Sequence, residues 1–258
     1  MTNDTFISKI KQISASNKID CFLRSTNSVS SFLPLSIKQQ KDIIKTAMDI
    51  ITSPITFSNA TTEIINANNI SKTPISILDK PLILLALRAD SLGKEALINV
   101  GEERLRANFA DNLGFNRPLD LSLLNNVVAY DKIEVTLKVP TIEEDYKVNL
   151  ECKKTLDSRK TKDEERLKDL VGELYIYEVS KFIDTIKILA DDKVEEVKFK
   201  NLSAQQSIET LEALPMVLTN KLVDSISKIR EIESEPLKIN VNGVDTTITL
   251  DAAFFARE

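Results

Sequence analysis

The chain has 258 residues, 42% of them apolar, with 34 basic and 39 acidic side chains and a net charge of −5, which suits one large domain or two ordinary ones. It contains no histidine, which excludes Ser-His-Asp and Cys-His catalysis and zinc sites of the HExxH or Cys2His2 kind. Its five glycines, Gly93, Gly101, Gly114, Gly172 and Gly243, cannot write GxGxxG or GxxxxGKS/T, so a phosphate-cradling loop is not expected.

In chain order, a short helix is expected over Phe6–Ile13, followed by a loop in the Ser/Asn-rich stretch from Asn27 to Ser31. Ser36-Ile37-Lys38-Gln39 has the Ser-x-x-Gln form of a capping box and predicts a helix from Ile37 to about Ile51. Ile43, Ile44, Ala47, Ile50 and Ile51 recur on one face of it, and Pro54 is expected to stop it. Phe57, Ile64 and Ile65 suggest a second helix ending near Asn69. A third runs from Pro81 to Gly93 and should be buried nearly all round, because Leu82 to Leu85 and Leu87 leave almost no polar face. The stretch from Gly93 to Leu123 suggests a helix with loops.

From Lys132 the period becomes two: Ile133, Val135, Leu137 and Val139 predict a half-buried strand. Tyr146, Val148 and Leu150 alternate again after a turn through Pro140 to Asp145, which suggests a hairpin over about 132–152. The charged stretch Glu151–Leu170 mixes both signs and is expected to be a solvated connector and helix start. A long helix is predicted over Asp163–Ile186, carrying Leu167, Leu170, Val171, Leu174, Tyr177, Phe182 and Ile183. Ser203-x-x-Gln206 predicts another capped helix, and a further one follows Pro215 through Leu218, Leu222, Val223, Ile226 and Ile229. Asn242-Gly243 between alternating apolar arms predicts a type I′ hairpin, since both residues accept positive φ. The expected fold class is α+β, helix-rich, with a middle β-hairpin and a C-terminal β-hairpin. The expected organisation is an N-terminal extension over 1–30, an α+β part over 31–156 and a helix-rich part over 157–258.

Catalytic, cofactor-binding and metal residues are not assigned. The carboxylates Glu143-Glu144-Asp145 and the group Asp191, Asp192, Glu195 and Glu196 fall where turns are predicted, and read as solvated charge. The alternative use for them is a divalent-metal or acid/base site. Ser36 with Lys38 or Lys41 is the other nucleophile arrangement, but Ser36 already serves as a cap. Cys21 and Cys152 lack CxxC spacing and read as reduced thiols. Thr2, Asn3, Asp4 and Thr5 do not resemble a signal peptide, and the run Pro81–Leu87 is far short of the roughly 18–20 residues needed to cross a bilayer. Charge is not gathered into a basic block, so neither nucleic acid nor membrane is an expected partner. Phe254 and Phe255 stand as partner-contact candidates: two adjacent rings in an aromatic-poor chain either tuck into their own domain or dock on another protein.

Four segments carry a resemblance: Phe32-Leu33-Pro34-Leu35-Ser36-Ile37-Lys38-Gln39-Gln40-Lys41, Leu84-Leu85-Ala86-Leu87-Arg88-Ala89-Asp90-Ser91-Leu92-Gly93, Glu173-Leu174-Tyr175-Ile176-Tyr177-Glu178 and Thr249-Leu250-Asp251-Ala252-Ala253-Phe254-Phe255. Taken in order, the series resembles the baseplate-hub assembly family of T-even-type contractile-tailed bacteriophages, whose members are hub subunits or assembly chaperones. The resemblance implies no catalytic residues and no cofactor. It implies other phage baseplate hub or tail proteins as partners, in the host bacterial cytoplasm or in the virion tail baseplate. Two further readings stand beside it: a cellular adaptor or scaffold module, and a carboxylate-based divalent-metal enzyme.

Overall fold

The computed structural model describes residues 17–48, 53–120, 127–158, 164–190 and 193–256. The helix expected over Phe6–Ile13 lies outside them. Two units are built from these residues: one from those up to Leu119 together with those from Glu233 on, the other from Asp120–Ile232. The divisions therefore fall at 119/120 and 232/233, whereas the sequence reading placed them near 31 and 157.

Among the described residues, the first elements of unit 1 are an antiparallel hairpin of β1 (Ile19–Leu23) and β2 (Ser28–Phe32), with Cys21 opposite Ser30. The expected loop at 27–31 is thus mostly strand. Its inward face holds Ser30 and Phe32 while Val29 faces solvent, a reversal of polarity that hides the strand from a hydrophobicity pattern. α1 (Ile37–Lys45) starts at the expected capping box: the Gln39 N–H donates to Ser36 Oγ at 3.2 Å, and the Ser36 N–H to Gln39 Oε1 at 2.9 Å. It gives way to a 3-10 turn over Thr46–Met48, earlier than the predicted Ile51. α2 (Ser53–Asn68) carries Pro54 in its own first turn, where proline's missing N–H costs nothing.

α3 (Lys80–Leu92) buries Leu82, Ile83, Leu84, Leu85 and Leu87 as the sequence predicts, packs against β1, and ends at Gly93 with φ 90°. Asp79 precedes it without capping it. Its buried carboxylate instead takes the Ser25 N–H at 3.1 Å and the Ser25 hydroxyl. Burial raises the Asp79 pKa, outweighing those bonds. Beyond Gly93 the expected helix with loops is a hairpin, β3 (Glu95–Val100) and β4 (Glu103–Asn108), turned at Gly101 with φ 62°, then a single helical turn, α4 (Ala110–Leu113). Only Ala96 and Ile98 on β3 are buried, so the hairpin offers little apolar alternation to read.

Unit 2 is built on a four-stranded antiparallel sheet of order β5-β6-β7-β8. β5 (Val127–Tyr130) and β6 (Ile133–Leu137) form the middle hairpin, turning at Asp131 with φ 51°. The strand at Ile133 is as predicted, but its partner precedes it. Tyr146, Val148 and Leu150, expected as the second arm, lie in helix α5 (Ile142–Ser158). A reciprocal cap decides the matter: Thr141 N–H donates to Glu144 Oε2 at 2.9 Å and Glu144 N–H to Thr141 Oγ1 at 3.2 Å. Glu143, Glu144 and Asp145 in the first turn also suit the helix dipole, and Ile142, Asp145, Asn149 and Cys152 form its buried stripe.

α6 (Glu164–Ser180) is shorter than the predicted Asp163–Ile186, because Ile183 to Ile188 pair as β7 (Ile183–Ala190) with β6 on one side and β8 (Lys193–Lys198) on the other. Three isoleucines in that stretch, Ile183, Ile186 and Ile188, suit a pleated strand better than a helix end. α7 (Ala204–Glu212) begins at the Ser203/Gln206 capping box, and α8 (Met216–Ser234) follows Pro215, both as expected.

The chain then returns to unit 1. β9 (Lys238–Val241) and β10 (Val244–Thr247) pair around Asn242 (φ 54°) and Gly243 (φ 85°), the predicted type I′ hairpin, and a 3-10 turn follows over Ala253–Phe255. The fold class is α+β.

Arg24 links the first and last segments of this unit. Its Nη2 lies 2.5 Å from Glu235 Oε2, its Nε donates to the Arg117 carbonyl at 3.3 Å, and its guanidinium stacks 4.6 Å from the Phe115 ring centroid. The Arg24 side chain is 1% exposed and that of Glu235 41% exposed, so the two halves of the pair are not equivalent. Removing the exposed partner leaves a buried cation short of its anion. Glu235→Ala is therefore expected to lower the unfolding free energy by about 2 kcal/mol, with Glu235→Gln recovering part of it. Urea denaturation of both variants checks this.

Candidate functional site

Charge in unit 2 converges where α5, the end of α6 and α8 meet. Asp145 faces inward one turn into α5, and Lys181 follows α6 directly. The buried Lys181 ammonium lies 2.5 Å from Asp145 Oδ1 and 2.7 Å from the Glu178 carboxylate. Arg230 of α8 closes on the other side of Glu178 and lies 5.1 Å from the Phe182 ring centroid. Asn149 Nδ2 donates to Asp145 Oδ2 at 3.1 Å. Two cations and two carboxylates thus satisfy one another in a site where an uncompensated charge would be costly.

This arrangement accounts for the first group of carboxylates. Asp145 is held on Lys181. Glu144 caps its helix and pairs with Lys138. Burial pushes the Glu144 pKa up, but the bonds from Lys138 and Thr141 together outweigh it and hold the carboxyl below its ordinary value near 4.5. Glu143 joins neither pair. In the second group, Glu195 and Glu196 are adjacent on β8 and so point to opposite faces; Glu196 lies 3.4 Å from Lys187, while Glu195 stands opposite Ile188. Asp191 and Asp192 lie outside the described residues. Among the described residues, no three His, Cys, Asp or Glu side chains are grouped so as to hold a metal ion. Both thiols are buried, and burial pushes Cys21 up to about 12 and Cys152 up to about 11, far from a reactive thiolate.

Beside the ion cluster an open cleft of about 290 Å³ lies between α5, Ser180–Ile183 and the segment from Phe199 to Ser207. Its apolar lining includes Val148, Tyr177, Ile183, Phe199 and Leu202; Lys147 and Lys200 are exposed at its edge. None of these was singled out from sequence as a site residue; Val148, Tyr177 and Ile183 were read as positions on a strand or helix. The Glu178–Lys181 spacing was readable as a local pair, but the Asp145–Lys181 contact, across 36 positions, was not.

The sheet carries a second feature. Register places Val128, Val135, Ile186 and Val197 in one cross-strand row, and Tyr130, Ile133, Ile188 and Glu195 in the next. Val128, Val135 and Ile186 are buried. The same face then opens to solvent at Tyr130 (40% exposed), Ile188 (46%) and Val197 (42%). Lys221 of α8 borders this strip, donating to the Ala129 carbonyl at 3.0 Å with its ammonium 6.0 Å from the Tyr130 ring centroid. Sequence periodicity marked Ile133 and its neighbours as inward-facing and so gave no sign that the row continues uncovered.

Phe254 and Phe255, the partner-contact candidates, are 5% and 0% exposed within unit 1. Their rings meet edge to face at 5.5 Å, Phe255 against Phe57 at 6.2 Å and Phe254 against Phe109 at 5.6 Å. Arg88 donates to the Phe254 carbonyl at 2.9 Å, and Gln40 to that of Phe255 at 3.0 Å. Both rings are packed inside their own unit and leave no exposed ring for a partner.

Phe255→Ala should therefore cost about 3–5 kcal/mol in unfolding free energy, measured by urea denaturation. For Glu144, the depressed folded-state pKa adds stability above the unfolded carboxylate range, and that stability is lost as pH falls through the folded value. The stability gap between the parent chain and Glu144→Gln should accordingly be widest at neutral pH and narrow below pH about 4.5. A series of denaturation curves from pH 7 downward reads this directly.

Comparison of the chain with protein-family models, with curated proteins and with solved structures finds no match in any of the three.

Proposed function

We propose that this chain acts without catalysis, by protein–protein interaction, in assembling the baseplate hub of a contractile phage tail, either as a chaperone or as a hub subunit. The observation that carries the interaction reading is the apolar strip of Tyr130, Ile188 and Val197, which extends the core face of the unit 2 sheet into solvent. An apolar surface continuous with a core, bordered by Lys221 and Glu195, has the composition of a contact face with a charged rim. The ordered series of segments resembling the hub assembly family supports the tail as its setting. Three of the carboxylates open to catalytic use in the sequence support the non-catalytic reading, since Glu144, Asp145 and Glu196 are engaged by lysines.

Among the described residues, no helix is long and apolar enough to cross a membrane. The proposed setting is the host bacterial cytoplasm during assembly, or the tail baseplate itself, with other hub or tail proteins as partners and with neither nucleic acid nor a small-molecule substrate.

Co-expression with each tail hub protein encoded beside this chain tests the reading. One of them should co-purify, and Ile188→Asp combined with Tyr130→Ser should reduce its recovery by about tenfold or more at unchanged melting temperature, as expected when a contact patch is lost. Failure of every hub protein to co-purify overturns the tail assignment; full recovery with the double variant overturns the role of the strip.

A further inference from the structure

The cleft of unit 2 has a chemistry of its own, separate from the strip. Lys138, Lys147, Lys181 and Lys200 line it against Glu144 and Glu151. Most of that charge is already matched: Lys138 pairs with Glu144, Lys181 with Asp145 and Glu178, and Glu151 with Lys154 at 2.6 Å. Lys147 on α5 and Lys200 on the 3-10 turn Phe199–Asn201 remain without a carboxylate among the described residues. The cleft therefore presents an apolar floor of Val148, Ile183, Phe199 and Leu202 beneath two uncommitted ammonium groups, in a chain whose net charge is −5.

Resting on the reading of the chain as a protein-binding module, we propose that this cleft receives a segment of a partner protein in which a large apolar side chain stands next to one or more carboxylates. The apolar side chain fills the floor, and the carboxylates meet Lys147 and Lys200. A basic segment is repelled, and a neutral one leaves both lysines unused. Phosphate backbones fit poorly, because Glu144 and Glu151 share the lining and there is no extended basic track. The volume, about 290 Å³, is at the lower edge of the roughly 300–1,000 Å³ typical of sites that enclose a small molecule, and the cleft is open; a side chain anchored from a longer partner suits it better.

The test uses a random heptapeptide display library panned against the full chain, followed by fluorescence anisotropy with the enriched peptides labelled with fluorescein. Enriched sequences should place Asp or Glu within two positions of Phe, Leu or Tyr. Their affinity should fall by about tenfold or more in the Lys147→Glu, Lys200→Glu double variant and weaken with added salt. Both lysines are exposed, so the melting temperature of that variant should match the parent chain. Four results would each overturn the proposal: no enrichment, enrichment of basic sequences, equal binding by the double variant, or displacement of the peptides by millimolar phenylpropionate, which would mark the cleft as a small-carboxylate site. Co-purification of a hub protein alongside any of these leaves the assembly reading intact, so the two can fail separately.

Discussion

A guanidinium almost without access to water holds the first unit together. Arg24 reaches Glu235 across 211 positions of sequence, and other bonds between the same two segments reinforce the join: Asn112 Nδ2 donates to the carbonyls of Pro236 at 2.8 Å and Lys238 at 2.9 Å, and Arg88 donates to that of Phe254. Each places a donor from the first segment on an acceptor from the last. Buried donors of this kind are costly when unmatched, so neither segment presents a satisfied surface without the other. The core around α3 is then closed by Phe254 and Phe255, whose rings join the buried Phe109 and Phe57 of the first segment.

The second unit handles charge differently. Its ions form a chain that runs from the buried interior to the surface, with Lys181 between the buried Asp145 and the partly exposed Glu178, and Glu178 between Lys181 and the partly exposed Arg230. Such a set contributes little net stability compared with a well-packed apolar equivalent, but it ties α5, α6 and α8 to one geometry. It also leaves the neighbouring cleft with a charge of known sign, because its own cations are already matched. The open apolar row of the sheet and the cleft beside α5, with its apolar lining and two uncommitted lysines, are lined by different residues of the unit.

Signals that act over a few residues were legible in the sequence. The capping boxes at Ser36 and Ser203, the burial of α3, the strand at Ile133 and the Asn242-Gly243 turn all depend on local backbone chemistry, and the structure has each of them. Errors arose where two local signals competed. Tyr146, Val148 and Leu150 alternate like a strand, yet Thr141 and Glu144 offer a helix cap, and the cap prevails. Ile183 and Ile186 fit a helical spacing but also a strand, and the choice was made by pairing with β6, a partner about fifty positions upstream. The candidate site was harder still, since the ion cluster, the cleft and the exposed row all arise from residues brought together only by the fold. Of the two rings chosen from sequence, neither reaches the surface: an apolar pair near the chain's end was equally suited to completing a core, and here it does so.

The insertion of Asp120–Ile232 between the two parts of unit 1 has a consequence for synthesis on the ribosome. Translation proceeds at about 5–20 residues per second, so roughly 6–23 s separates completion of the first segment at Leu119 from the arrival of Glu235 and the residues after it. Unit 2 is continuous in sequence, from Asp120 to Ile232, and waits for no later segment. The first segment cannot finish: the face of Phe57 that packs on Phe255, and the part of α3 that meets Glu235–Leu237, stay uncovered until those residues emerge.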